Sequence, residues 1–274
     1  MQAPEFMDES KVGEHGISCL LYGDSSAGKT YVAQTFPSPI YILDTECRAI
    51  KNKVRHFKDK EIFIHDPTEY NTVEGKSNDA FDTHKTIENC VRFVLWYANE
   101  VKSGRIKGGT VVIDSASDIW SWIQEWMVME LAKYASKDGA KRADVMTMRL
   151  ANQVDWRLAN KRHQEIIGVL KSLLPLGTNL VITARETQPP EYVVKTGKET
   201  LKDRIRGHNT LPFMTDYVFN LKKITQNGVE RYVAKVEKAC TENCGSEYIN
   251  MLNYDKIMAL KQKVETPKQE TPKQ

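Results

Sequence analysis

At 274 residues, with 41% hydrophobic and 27% charged side chains, the chain can bury the core of one large α/β domain and is short for two. A formal net charge of +3 and a pI near 8.4 are too mild to imply nucleic-acid binding on their own, and no apolar run approaches a membrane span. The polar N-terminus lacks a signal-peptide core. The five cysteines, Cys19, Cys47, Cys90, Cys240 and Cys244, form an odd set without framework spacing, which suits a reducing, cytoplasmic setting. Cys240 and Cys244 have the spacing of half a metal site, with no second Cys or His pair nearby in sequence.

Residues 1–16 are polar, with Gly13 and Gly16 as breakers, and predict a flexible leader. Ile17 to Tyr22 is a short apolar run ending in a Gly-rich loop; Tyr31 to Phe36 before Pro37 predicts a short helix after that loop. Tyr41 to Asp44 predicts a buried strand and Glu61 to Ile64 a weaker one. From Asp79 to Val101 the apolar residues Ile87, Val91, Val94, Leu95, Ala98 and Val101 fall at helical spacing, and Ser103-Gly104 supplies a stop. Thr110 to Asp114 is continuous and β-branched, the pattern of a central parallel strand.

A Trp- and Met-rich helix is expected over Ile119 to Tyr134. Its Trp120, Trp122, Trp126 and Met127 suit a core, the alternative being a subunit interface or a nucleic-acid path. A long helical stretch from about Asp144 to Leu174 follows, then a buried strand, Leu180 to Thr183. Arg185 to Arg206 reads as a long loop, a length usually functional or mobile in a compact domain. Tyr217 to Gln226 and Val229 to Glu237 flank Asn227-Gly228, a strong hairpin signal. The closing repeat ETPKQ-ETPKQ cannot form a core. The alternation predicts an α/β fold, a mostly parallel sheet flanked by helices with a C-terminal hairpin extending it, over residues 17–260, and a disordered tail over 261–274.

Gly23-Asp24-Ser25-Ser26-Ala27-Gly28-Lys29-Thr30 satisfies G-x-x-x-x-G-K-[ST]. The glycines let consecutive amides converge on phosphate oxygens, and the next helix presents its positive end. Lys29 adds a point charge for the outer phosphates of ATP, and the Thr30 hydroxyl can ligate Mg²⁺. A second metal-holding acid is expected at the end of a neighbouring strand, and Asp114 is placed for it, a helix-capping role being the alternative. Glu46, just past a strand whose carboxyl end is expected next to the P-loop strand, is the candidate for orienting the attacking water, with Asp44 as competitor.

With these pieces in order, the chain resembles the ATPase core of the RecA recombinase family across most of residues 17–240. GDSSAGKT resembles the family's P-loop, YILDTECRA the segment whose glutamate activates water, here Glu46, and TVVIDSASDI the Walker B strand, here Asp114 followed by Ser115. LVITARE resembles the strand whose end senses the γ-phosphate; the family's Asn-Gln is replaced by Ala184-Arg185, which puts Arg185 in the sensing position. The following loop binds single-stranded DNA in the family. Here it offers Lys195, Lys198, Lys202, Arg204 and Arg206 for phosphates and Tyr192 for stacking on a base, the alternative being a solvated surface loop. KVEKAC resembles the segment whose basic residues reach a neighbouring subunit's ATP; Lys238 fits, and Cys240 replaces the second base.

In size the chain looks like the compact single-domain RecA-like ATPases of phages and archaeal viruses, some of which anneal single strands; a viral origin would place it in a host cytoplasm. The resemblance implies a Mg²⁺-dependent, DNA-stimulated ATPase acting as a homo-oligomer, ring or filament, in recombination, annealing or replication. A regulatory ATPase of the clock-protein type acting on protein partners is the alternative. A nucleoside or small-molecule kinase is weaker, because no arginine-rich lid can be read.

Overall fold

The computed structural model describes residues 15–71, 80–137, 153–188, 200–226, 228–239 and 247–265. One sheet organises them, in the order β11-β10-β9-β1-β7-β6-β2-β3. The strands are β1 (Ser18–Gly23), β2 (Ile40–Asp44), β3 (Ile62–His65), β6 (Thr110–Asp114), β7 (Asn179–Glu186), β9 (Tyr217–Gln226), β10 (Val229–Ala239) and β11 (Tyr248–Asn250). From β9 to β3 every pairing is parallel, while β10 and β11 add antiparallel. A ninth strand, β8 (Ile205–Arg206), pairs antiparallel with the end of β7, and β4 (Tyr70–Asn71) with β5 (Ala80–Phe81) makes a separate two-stranded ribbon.

Alternation along each strand sends side chains to two separate apolar layers. Leu20 and Tyr22 of β1, Val111 and Ile113 of β6, and Leu180 and Ile182 of β7 face one layer. It is closed by α3 (Thr83–Lys102), α4 (Ala116–Lys137) and α5 (Gln153–His163). Cys19, Leu21, Val112 and Val181 face the other layer, which is closed by α1 (Lys29–Thr35), α2 (Ala49–His56) and α6 (Tyr254–Glu265). Helices on both faces are what continuous β-branched strands such as Thr110–Asp114 require, since neither face meets water. α3 begins where Asp82 accepts the Lys85 amide at 3.0 Å and ends at Ser103, as its capping residues dictate. Trp126 and Met127 are buried in the first layer, with Trp120 and Trp122 packed against it, so the aromatic face of α4 is core.

Several expectations change. β2 lies next to β6 and β3, with β6 and β7 between it and β1, so its carboxyl end does not adjoin the P-loop strand. The stretch after Arg185 is not a free loop at its base: Arg185 pairs with Arg206 and Glu186 with Ile205. The helical stretch expected to Leu174 passes after His163 through a π turn, Gln164–Gly168, and the regular helix stops at Lys171. α6 runs to Glu265, into the segment read as tail. The hairpin forms as expected, with Gln226 opposite Val229 and a register shift between Val236 and Lys238. Among the described residues no helix is long and apolar enough to cross a membrane. Most of the leader, together with Lys195, Lys198, Tyr192, Cys240 and Cys244, lies outside the described residues.

Candidate functional site

The carboxyl ends of β1, β7, β6 and β2 share one rim of the sheet, and the polar residues singled out above meet there. β1 ends at Gly23, whose φ of 151° and contact with β9 leave no room for a side chain: a Cβ would lie 2.1 Å from the Leu221 carbonyl oxygen. Gly28, at φ 91°, turns the chain into α1. The loop between them closes around the Lys29 ammonium, which donates to the carbonyls of Gly23 at 2.9 Å and Asp24 at 2.7 Å. Lys29 is buried. Burial pulls its pKa down, and the charges of Glu46 and Asp114 work against that shift.

Asp114, at the end of β6, accepts from the Thr30 hydroxyl at 2.6 Å on one carboxylate oxygen and from the Thr183 hydroxyl on the other. Thr183 stands on β7, the strand between β1 and β6. The Asp114 carboxylate is buried, which raises its pKa, while the two hydroxyl donors oppose the rise. Among the described residues the Asp114 carboxylate accepts no hydrogen bond from the start of α4, as the capping alternative would require; its two oxygens are taken by Thr30 and Thr183.

Asp44 and Glu46 separate cleanly. Asp44 accepts from the amides of Glu46 at 3.1 Å and Ala49 at 2.8 Å, so its carboxylate holds the loop that leads into α2. Burial raises its pKa against those backbone donors. Glu46 is carried by that loop across the rim to Arg185, whose Nε and Nη2 reach its Oε1 at 3.1 and 3.0 Å. The same Nη2 lies 2.9 Å from Asp118 on α4. Asp118 also accepts from the hydroxyls of Thr45 at 2.9 Å and Ser115 at 3.0 Å. The Arg185 amide donates to the Ser117 hydroxyl at 2.8 Å, and Ser117 in turn donates to the Arg206 carbonyl, pinning β7 and β8 to the first turn of α4.

Lys29, Thr30, Glu46, Asp114 and Arg185 open on a cleft of about 810 Å³. Residues 23–32 form its floor, Glu46, Arg48, Arg55, Asp114 and Arg185 a charged side, and Leu221, Tyr232, Val233, Met251 and Leu252 a largely apolar side. The cleft therefore pairs an anion cradle with an apolar wall supplied by the C-terminal hairpin and the turn after β11. Asp114 and Thr30 are hard oxygen donors of the kind Mg²⁺ takes beside a phosphate, and they are already in contact.

The other candidates sit elsewhere. Lys238 donates to the carbonyls of Pro212, at 3.3 Å, and Thr215 within its own chain. Arg204 pairs at 2.9 Å with Glu237, which also accepts from Tyr22 at 3.1 Å and Lys235 at 3.2 Å. Burial alone would raise the Glu237 pKa, but Arg204 and Lys235 outweigh it and the net shift is downward. Arg204 is thus a half-buried, paired cation, whereas Lys202 and Arg206 are exposed. Sequence reasoning missed Thr183, Thr45 and Asp118. The polar run Ser115 to Asp118 directly after the strand, SASD, was the available signal for Asp118.

A family model described as the AAA domain matches residues 15–242. No curated protein matches the chain. Among solved structures, a KaiC-like protein of the hyperthermophilic archaeon Pyrococcus horikoshii OT3 is similar, with a TM-score of 0.43 at 16% identity over 86% of this chain and 85% of that one.

Proposed function

The chain belongs to the AAA domain family, and from that premise we propose that it binds ATP with Mg²⁺ in the rim cleft, hydrolyses it, and couples turnover to single-stranded DNA. The fold is a mostly parallel sheet with helices on both faces, and we read it as a RecA-like P-loop core. The observation that carries the catalytic part is the convergence of Lys29, Thr30, Asp114 and Glu46, from three separate segments, on one cleft. In it the amides of residues 23–30 and the Lys29 ammonium grip the β- and γ-phosphates, the ammonium exchanging its two carbonyl partners for phosphate oxygens. Thr30 and Asp114 would hold Mg²⁺, which when bound supplies positive charge to the outer phosphates. Glu46 orients the attacking water and takes up its proton. Arg185 stabilises the charge on the terminal phosphate. Tyr232 and Met251, on the apolar side, carry the base.

Coupling to a polymer is supported by the position of Arg185. It lies in the cleft and also in the β7–β8 pair that anchors the segment carrying Lys202 and Arg206, both exposed. A shift of Arg185 onto phosphate moves the base of that segment, whose cations suit a phosphate backbone. Repeated contact along a strand suits an oligomer, ring or filament. Phosphate release from Mg-ATP, measured with and without a poly-dT strand at low salt, tests this. A rise of about threefold or more that fades with added salt is expected. Turnover that ignores the strand at every salt concentration overturns the DNA coupling and directs the search to a protein partner.

A further inference from the structure

Asp118 does not line the cleft, yet three partners anchor it beside the rim. Its carboxylate is tied to the loop after β2 through the Thr45 hydroxyl, at 2.9 Å, and to the end of β6 through the Ser115 hydroxyl, at 3.0 Å. Its third partner is Arg185. Glu46, by contrast, holds Arg185 through Oε1 and faces the cleft. One guanidinium therefore serves two carboxylates, one tied by two hydroxyls and one lining the cleft.

We propose that Asp118 is a positioning residue, the pivot of a charge latch in which Arg185 restrains Glu46 until a nucleotide's terminal phosphate draws the guanidinium away. The latch rests on the nucleotide reading of the cleft. A third phosphate competes with the Glu46 carboxylate for the same cation; Asp118, held by two hydroxyls, stays in place and keeps Arg185 aimed at the rim through the exchange. Glu46 is then released to water. A diphosphate ends short of Arg185 and leaves the latch shut. The differential contact, made by the terminal phosphate alone, is what shifts the equilibrium between restrained and released Glu46. Thr45, which donates to Asp118 and whose amide donates to the Asp114 carbonyl at 2.6 Å, ties the pivot to the loop bearing Glu46, so the released carboxylate stays within the rim.

The test is calorimetric affinity for Mg-ADP and for Mg with a non-hydrolysable ATP analogue, measured on the full chain. Glu46→Gln removes the competing charge, so the analogue should bind about fivefold or more tightly while ADP is unchanged. That tightening should vanish when Arg185→Ala is added. Asp118→Asn should reduce the preference for the analogue over ADP, with no further loss in the Arg185→Ala background, because it acts only through Arg185. Should Asp118→Asn not fold, Arg185→Lys serves: a point charge cannot bridge two carboxylates and should lose the same preference. Tightening by Glu46→Gln that persists without Arg185 would reflect plain repulsion of phosphate and overturns the latch, as does additivity of Asp118→Asn with Arg185→Ala. A folded wild-type chain that binds neither nucleotide overturns the underlying cleft reading, and the latch with it.

Discussion

Among the described residues, a polar cluster at the sheet rim and another in the helical layer are settled in opposite ways. At the rim, Lys29, Asp114 and Glu46 each hold partners, carbonyls, hydroxyls and a guanidinium, that an anion and a metal could replace one for one. In the helical layer, His163 is stacked on His208 with ring centroids 4.1 Å apart, Trp120 meets His208 edge-on at 4.6 Å, and neither ring nitrogen of His163 has a partner among the described residues. Burial first, and the neighbouring His208 second, push the His163 pKa down to about 3, so this ring stays neutral and packs as an aromatic. The lesson is that exchangeable partners mark a site, whereas a polar group kept neutral marks a core.

The comparison can be broken most forcefully at Lys29. Lys29→Ala should weaken Mg-ATP binding about 100-fold or more while the thermal midpoint stays close to wild type, since its present partners are main-chain carbonyls that water can serve. Equilibrium binding beside a melting curve checks both halves. Next, Glu46→Gln should bind nucleotide and lose about 10²-fold or more in kcat, measured by phosphate release; normal turnover would move water activation elsewhere.

The helical cluster should respond to acid instead. His163 takes a proton far more readily in the unfolded chain than in the folded one, so its contribution is complete above about pH 6.5 and is lost as pH falls toward 3. Unfolding free energy should decline there by about 1 kcal/mol per pH unit from this group. His163→Phe should flatten that slope, and an unchanged slope would show the ring already has a proton acceptor. The smallest effect is expected at the apolar wall: Tyr232→Ala should weaken ATP by about 0.5–1.5 kcal/mol and leave inorganic tripolyphosphate unaffected.

What could be read from the sequence follows from how local each feature is. The P-loop is contiguous, and its chemistry is fixed by residue type and order, so Gly23 to Thr30 reads directly. Asp114 was legible because a buried strand must end in something polar at the rim. Glu46 was found for a reason that fails, since β2 is not beside β1; a loop rather than sheet adjacency brings it in. The Arg185, Glu46 and Asp118 contacts join three segments distant in sequence, which no periodicity encodes. Strands of two or three residues, β4, β5, β8 and β11, are too short to show alternation, so the pinned base of the segment after Arg185 was invisible. Charge alone also could not show that Arg204 is paired, because its partner Glu237 comes from the second strand of the hairpin.

The most direct test of the account is calorimetric titration of the intact chain with Mg-ATP at neutral pH. Saturable heat with one nucleotide per chain, abolished by Lys29→Ala, is the predicted result. A folded chain that gives no heat at millimolar Mg-ATP, or gives the same heat without Lys29, would contradict it.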